Sequence, residues 1–323
     1  MTNLLRSPAT PLLTDDFALP LDQPFTTAQA VETGVPPRLL TRLCDAGFLR
    51  RMRKGLYVAA VVPDCLELRA RALALVVPPT AVVTDETAAW LFGADTLPAG
   101  GHLDIPAVSM FQLAGNNRLR NELCRSGERT LTSDDIMVLN GVQVTTPIRT
   151  AWDLGRLKNR DRAMAALDAL LRLGAFEKGD LLAGVERFRG QRGVVQLREL
   201  APLADPRAQS PAESVLRLRW LDAPNLPAPT PQVPVFDRWG NEVYHMDLGV
   251  PELKFAAEYD GEQWHSSVED MAYDASRREW SERQGWTIRV FFKGNVFGAN
   301  QNVWVILQDG VTEARKKLGR YHP

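Results

Sequence analysis

Between Tyr244 and Gly261 the chain reads Tyr-His-Met-Asp-Leu-Gly-Val-Pro-Glu-Leu-Lys-Phe-Ala-Ala-Glu-Tyr-Asp-Gly. Side chains alternate across a strand, so a one-residue slip exchanges the faces and the pattern dictates the register. Folded as a hairpin about Glu252-Leu253, this stretch sets Leu248 against Ala257 and Met246 against Tyr259, with Val250 and Phe255 at the turn end. One face is then apolar. The other carries Asp247 against Glu258 and His245 against Asp260. Opposed side chains in such pairs stand about 4.5–5.5 Å apart at Cβ, and like charges there are destabilising. Two resolutions are open. A divalent cation such as Mg²⁺ takes carboxylate oxygens together with water and phosphate, and can activate water against a phosphodiester. Alternatively, the acids are separate solvated groups or partners of arginine.

The hairpin sits in a longer order: helix (211–221), strand (232–237), turn (238–241), strand (242–248), strand (254–260), helix (268–283), strand (286–292) and helix (302–318). Trp239-Gly240-Asn241 supplies a hairpin turn, and Gly285 ends the long helix. Six of the eight tryptophans and three of the four histidines follow residue 215, which marks the last third as its own unit.

At the other end a short helix from Thr26, the turn Gly34-Val35-Pro36-Pro37 and a helix from Arg38 precede two strand-like runs around Lys54-Gly55. Leu39, Leu40 and Leu43 recur at helical spacing. This is a winged helix-turn-helix, whose second helix enters a major groove while cations on the wing meet phosphates. Arg38, Arg42, Arg50, Arg51, Arg53 and Lys54 are the candidate contacts to double-stranded DNA, with a solvated charged face as the alternative. The 38 basic and 39 acidic residues of the 323 exclude a uniformly basic DNA coat, so such a site is a local patch.

Between these ends lies a mixed stretch: helices at 65–77 and 85–92, short strands near 102–105, 121–125, 136–139 and 142–145, then helices from Pro147 to Leu200. Segment 201–210 breaks the helical pattern. The expected organisation is a tail (1–24), the winged helix-turn-helix (25–60), a mixed α/β connecting domain (61–207) and a C-terminal domain (208–323), α+β overall. The apolar run from Ala72 to Val83 is broken by Pro78-Pro79 and falls short of the roughly 20 residues that span a bilayer. Residues 1–24 lack a basic start followed by an apolar core, so no secretory signal is expected. Three cysteines in no CxxC spacing argue against a disulfide framework or zinc cluster. A cytoplasmic protein without a membrane partner is expected.

Ser210-Pro211-Ala212-Glu213, Asp247, Ala257-Glu258-Tyr259-Asp260-Gly261-Glu262-Gln263-Trp264-His265, Asp274-x-x-Arg277-Arg278 and Gln284-Gly285-Trp286-Thr287-Ile288-Arg289-Val290 together resemble the very-short-patch-repair endonucleases, within the PD-(D/E)XK nuclease superfamily. The resemblance covers about 210–315. It implies a restriction-endonuclease-like αβββαβ fold around Mg²⁺, with Mn²⁺ as a substitute. By this resemblance Asp247, Glu258 and Glu213 are metal ligands, Asp260 stands where most of the superfamily has lysine, His265 assists proton transfer and Arg277 meets DNA phosphate. Each residue also has a plainer reading. Glu213 follows Ser210 as in a capping box, Asp260 precedes a glycine at a strand end, and Arg277 lies one helical turn from Asp274.

The front half resembles the AbiEi-type antitoxins of abortive-infection systems, through residues 26–58, Ala89-Trp90-Leu91-Phe92-Gly93 and Val144-Thr145-Thr146-Pro147-Ile148-Arg149-Thr150-Ala151-Trp152-Asp153-Leu154. That family implies promoter binding and repression of its own operon. The leading expectation is a metal-dependent DNA endonuclease targeted by a winged helix. Its alternative is a non-catalytic DNA-binding regulator or antitoxin with a degenerate nuclease domain.

Overall fold

The computed structural model describes residues 5–6, 12–13, 17–96, 108–112, 124–125, 129–261 and 268–319, with the backbone alone at 5–6, 12, 124–125 and 268–275. The chain is a mixed α and β protein of the α+β kind, as its sequence patterns predict, and divides into two compact units, 1–153 and 154–323. Among the described residues no helix is long and apolar enough to cross a membrane.

The first unit begins with the short pair β1 (Leu5–Arg6) and β2 (Leu12–Leu13), followed by β3 (Phe25–Thr26), α1 (Thr27–Glu32), α2 (Pro37–Asp45), β4 (Leu49–Arg53) and β5 (Leu56–Ala59). Thr26 and Gln29 form the reciprocal cap of α1, and Pro37 opens α2 where its missing N–H costs nothing. Gly55, at φ +82°, makes the tight turn between β4 and β5. Leu40 and Leu43 of α2 pack with Phe25, Ala30, Phe48 and Tyr57 in one apolar core. This is the winged helix-turn-helix anticipated from the sequence.

Next come α3 (Leu66–Ala74), β6 (Ala81–Val83), α4 (Asp85–Leu91), β7 (Val108–Gln112), β8 (Cys124–Arg125), β9 (Ile136–Leu139), β10 (Val142–Thr145) and α5 (Pro147–Leu157), which crosses the unit boundary. The strands form a sheet in the order β8-β7-β6-β10-β9. Strand β6 was not anticipated. The proline pair that interrupts the apolar run separates helix α3 from a buried strand that pairs parallel with β10, and such strands read as continuous apolar runs. The strand expected near 102–105 lies outside the described residues. Arg149, 3 % exposed, bridges Asp135 and Asp153 at 2.6 and 2.9 Å, and Arg129 joins Asp153 to Asp85 at 3.0 and 2.8 Å.

The second unit continues with α6 (Arg160–Arg172), α7 (Lys178–Ala183), α8 (Val194–Leu200), α9 (Pro211–Asp222), β11 (Thr230–Phe236), β12 (Glu242–Val250), β13 (Phe255–Tyr259), α10 (Val268–Arg283), β14 (Thr287–Phe291), α11 (Lys293–Val296) and α12 (Val303–Lys317). The sheet order is β11-β12-β13-β14, antiparallel except for the β13–β14 pair. Its hairpin register is the one read from the alternation: Leu248 pairs with Ala257 and Val250 with Phe255. Leu248, Val250, Phe255 and Ala257 pack with Leu216 and Trp220 of α9 and Leu307 and Val311 of α12. Val233, Tyr244, Met246 and Ala256 pack with Trp286, Ile288 and Trp280 in a second core.

Segment 201–210, which breaks the helical pattern, is pinned to its neighbours. The Asp205 N–H donates to Asp168 at 2.8 Å, Arg217 donates to the Leu203 carbonyl at 2.7 Å, and Arg172 donates to the Ala208 carbonyl. Asp168 of α6 and Arg217 of α9 form a buried pair at 2.7 Å.

Candidate nucleic-acid interface and carboxylate cluster

Arg38, Thr41, Arg42 and Asp45 occupy the exposed face of α2, opposite the buried Leu40 and Leu43. Their spacing of three and four residues follows the helical period, so one apolar stripe necessarily leaves one polar stripe. Across the wing, Arg51 and Lys54 are exposed, while Arg50 and Arg53 are half-buried. Arg50 donates to the Val62 carbonyl at 3.4 Å, which ties the wing to the chain that follows it. The six cations thus divide into four presented to solvent and two partly engaged in the wing.

The carboxylates of the C-terminal domain are brought together by three elements. Ser210 caps α9 through the Glu213 N–H at 3.1 Å. Glu213 in turn accepts from the Gln209 N–H at 2.9 Å and the Gln232 side-chain amide at 3.0 Å. It is thus held at the helix start, reaching one residue further back than a standard capping box. Gln232 itself sits at φ +51° in β11, a conformation costly for a residue with a Cβ. On the neighbouring strand Asp247 accepts from the Tyr259 N–H at 2.7 Å. Glu258, 7 % exposed, receives Arg278 at 2.9 Å, and the same guanidinium reaches Asp260 at 3.3 Å.

Burial pushes the Asp247 carboxyl up to about 7, and the Glu213 and Glu258 charges push in the same direction, against the Tyr259 N–H and Arg277. Glu213 is also raised, first by burial, while its hydrogen bonds to Gln209, Ser210 and Gln232 pull it down. A carboxyl that holds its proton more tightly in the folded than in the unfolded chain favours folding at low pH. That contribution is complete below the ordinary value of 3.8 and is lost as pH rises through about 7. Asp247→Asn keeps an acceptor for the Tyr259 N–H and removes the charge. The variant is expected to gain about 2 kcal/mol over wild type between pH 5 and pH 8, since each tenfold difference in proton affinity between the folded and unfolded chain is worth about 1.4 kcal/mol. Urea unfolding at the two pH values measures this, and a pH-independent difference would refute it.

His245 lies opposite Pro234 of β11 and 3.5 Å from Glu242, exposed within β12. Arg277 stacks on the Tyr244 ring at 4.3 Å. His265, together with Glu262 and Trp264, lies outside the described residues. Arg278 is the member of this group that the sequence motifs do not single out as a site residue. The signal available was that Arg277 and Arg278 are adjacent on one helix, which cannot tell which of them turns towards the strand. The second Glu258 oxygen is buried with no hydrogen-bond partner among the described residues. The Glu258 oxygen nearest Arg278 and one Asp260 oxygen face the guanidinium, and among the described residues no group of three or more His, Cys, Asp and Glu side chains is placed to hold a metal.

Residues 80–203 match the family described as the AbiEi antitoxin C-terminal domain, and residues 21–60 match the one described as a transcriptional regulator, AbiEi antitoxin. The chain is also 35% identical over 246 residues to two proteins described as uncharacterized, from Mycobacterium tuberculosis strains CDC 1551 / Oshkosh and ATCC 25618 / H37Rv. The similarity covers 75% of this chain and 84% of each relative. These matches overturn the expectation of a Mg²⁺-dependent endonuclease. They point instead to the alternative, a non-catalytic DNA-binding antitoxin or regulator. The chain belongs to one family with these two mycobacterial proteins, and it carries AbiEi antitoxin domains at 21–60 and 80–203.

Proposed function

We propose that this protein is a transcriptional regulator of the antitoxin type that binds double-stranded DNA upstream of its own gene through the winged helix-turn-helix. The observation that carries this reading is the exposed set Arg38, Arg42, Arg51 and Lys54, displayed on α2 and the β4–β5 wing within the segment matched to the regulator family. An apolar stripe fixes α2 to the core, and the same helical period turns Arg38, Thr41 and Arg42 outward for base edges. Arginine reads guanine through two parallel hydrogen bonds. The wing cations serve a different purpose, neutralising phosphates without regard to sequence.

These roles separate experimentally. Replacing Arg51 and Lys54 together by alanine is expected to weaken binding about equally on all sequences and to lower the salt dependence of log K by about two. The Arg38→Ala/Arg42→Ala variant is expected to lose about 1–3 kcal/mol of discrimination per lost base contact, with less effect on non-specific binding. Footprinting and salt titration on the upstream DNA provide both readouts. Binding by the wild type that ignores sequence, or no binding at all, would sink the proposal.

A further inference from the structure

Between α7 and α8 the chain runs Val185-Glu186-Arg187-Phe188-Arg189-Gly190-Gln191-Arg192-Gly193. Residues 187–198 hold four arginines and no acid, in a chain that has 39 acids in all. Arg187, Arg189, Arg192 and Arg198 are exposed. Glu186, the acid just ahead of the run, is held by Arg198 at 2.8 and 2.9 Å, so its charge is already answered. Arg189 and Arg192 carry no ion pair or side-chain hydrogen bond among the described residues.

The loop is held from beneath. Phe188, 2 % exposed, fills its base, with the Arg156 guanidinium 4.7 Å from the ring centre. Arg156 of α5 also donates to the Arg192 carbonyl at 3.1 Å. The Arg189 N–H donates to the Glu186 carbonyl at 3.1 Å, and the Gln191 N–H to the Phe188 carbonyl at 2.9 Å. Gly193, at φ +79°, closes the turn where a Cβ would come within 1.8 Å of the Arg156 carbonyl oxygen, so glycine alone fits. A backbone fixed in this way presents its cations without having to be ordered by the partner, which lowers the entropy cost of binding.

A guanidinium is a planar fork that matches phosphate oxygens in pairs. Bases of a single strand stack on exposed aromatic rings, whereas the one aromatic ring of this loop, Phe188, is buried. The set therefore suits the phosphates of a duplex rather than unpaired bases. It lies within the 80–203 match to the antitoxin C-terminal domain and outside the 21–60 regulator match.

We propose that this arginine loop is a second, sequence-independent contact to the phosphates of duplex DNA, in addition to the winged helix. The proposal rests on the reading of the chain as a DNA-binding protein.

The test uses the full chain and fluorescence anisotropy with two long duplexes, one of the upstream sequence and one unrelated, each titrated with salt. Arg189→Ala/Arg192→Ala is expected to melt as wild type does, to bind both duplexes at least about tenfold more weakly at about 0.1 M salt, and to lower the slope of log K against log salt by about two. Arg189→Lys/Arg192→Lys, which keeps both charges, is expected to keep the wild-type slope. Should the alanine pair fail to fold, Arg189→Gln/Arg192→Gln carries the same expectation. Wild-type affinity and slope in the loop variant, alongside the loss expected of Arg51→Ala/Lys54→Ala, would overturn the proposal and leave the winged-helix reading standing. A loss from the loop variant with none from the wing variant would uphold the loop and remove the winged helix from the reading. A wild type that binds neither duplex overturns both. Tighter binding to single-stranded RNA than to duplex DNA, abolished by the loop variant, would make the partner RNA and overturn the proposal.

Discussion

Replacing Arg217 with alanine is expected to destabilise the 154–323 unit by about 3–5 kcal/mol, the usual cost of leaving one partner of a buried pair uncompensated. Arg217 is 4 % exposed and Asp168 fully buried. One guanidinium nitrogen reaches both Asp168 oxygens at 2.8 and 2.7 Å, and another donates to the Leu203 carbonyl at 2.7 Å. The Asp205 N–H completes the carboxylate at 2.8 Å. The alanine variant therefore strands a carboxylate charge and a carbonyl together. Removing both charges with apolar side chains of similar volume, as in Asp168→Leu/Arg217→Met, is expected to recover part of the loss, because no charge is then left buried while the Leu203 carbonyl and the Asp205 N–H still lose their partners. Chemical denaturation of wild type and the two variants decides the matter. A loss below about 1 kcal/mol for Arg217→Ala, the range of a surface pair, would show that this bond does not hold α6 to α9.

The second large effect is expected at Arg149, in the unit that carries the winged helix. Its guanidinium meets Asp135 at 2.6 Å, Asp153 at 2.9 Å and the Thr130 carbonyl at 3.2 Å, while Asp153 also receives Arg129. Asp135 is itself committed to the Thr132 N–H at 3.0 Å. Arg149→Met is expected to cost about 3–5 kcal/mol, since it takes a guanidinium away from the buried Asp135 and Asp153 carboxylates. Asp135→Asn in the same chain is expected to restore part of that loss, and the resulting coupling energy is the measurement. Strict additivity of the two changes would mean that the pair does not interact. Because Arg149 lies within the span matched to the antitoxin domain, the same variant reports whether that domain and the regulator segment unfold together.

The local devices of the fold are written in the order of residues. The winged helix-turn-helix follows from Leu40 and Leu43 at helical spacing and from Lys54-Gly55 between two short strand-like runs. The hairpin register follows from the alternation of apolar and acidic residues on either side of Glu252-Leu253, because a slip of one residue exchanges core and solvent faces. Strand β6 escaped this reading, since a strand inside a parallel pair has no polar face to mark its period. The catalytic expectation failed for a related reason. Asp247, Glu258 and Glu213 can be recognised as a spaced set, yet spacing does not show which cation answers them.

What the sequence determined by itself is therefore the elements of the winged helix and of the C-terminal sheet and the register of its hairpin, where the residues that must agree lie within a few positions of one another. The tertiary structure alone decided the charge pairings. Arg278 meets Glu258 across 20 positions, and Arg217 meets Asp168 across 49. Such partners depend on how a helix is rotated against the layer beneath it. That rotation is set by the packing of Trp280 and Ser281 around Tyr244 in one case and of Leu216 and Trp220 against Phe255 in the other.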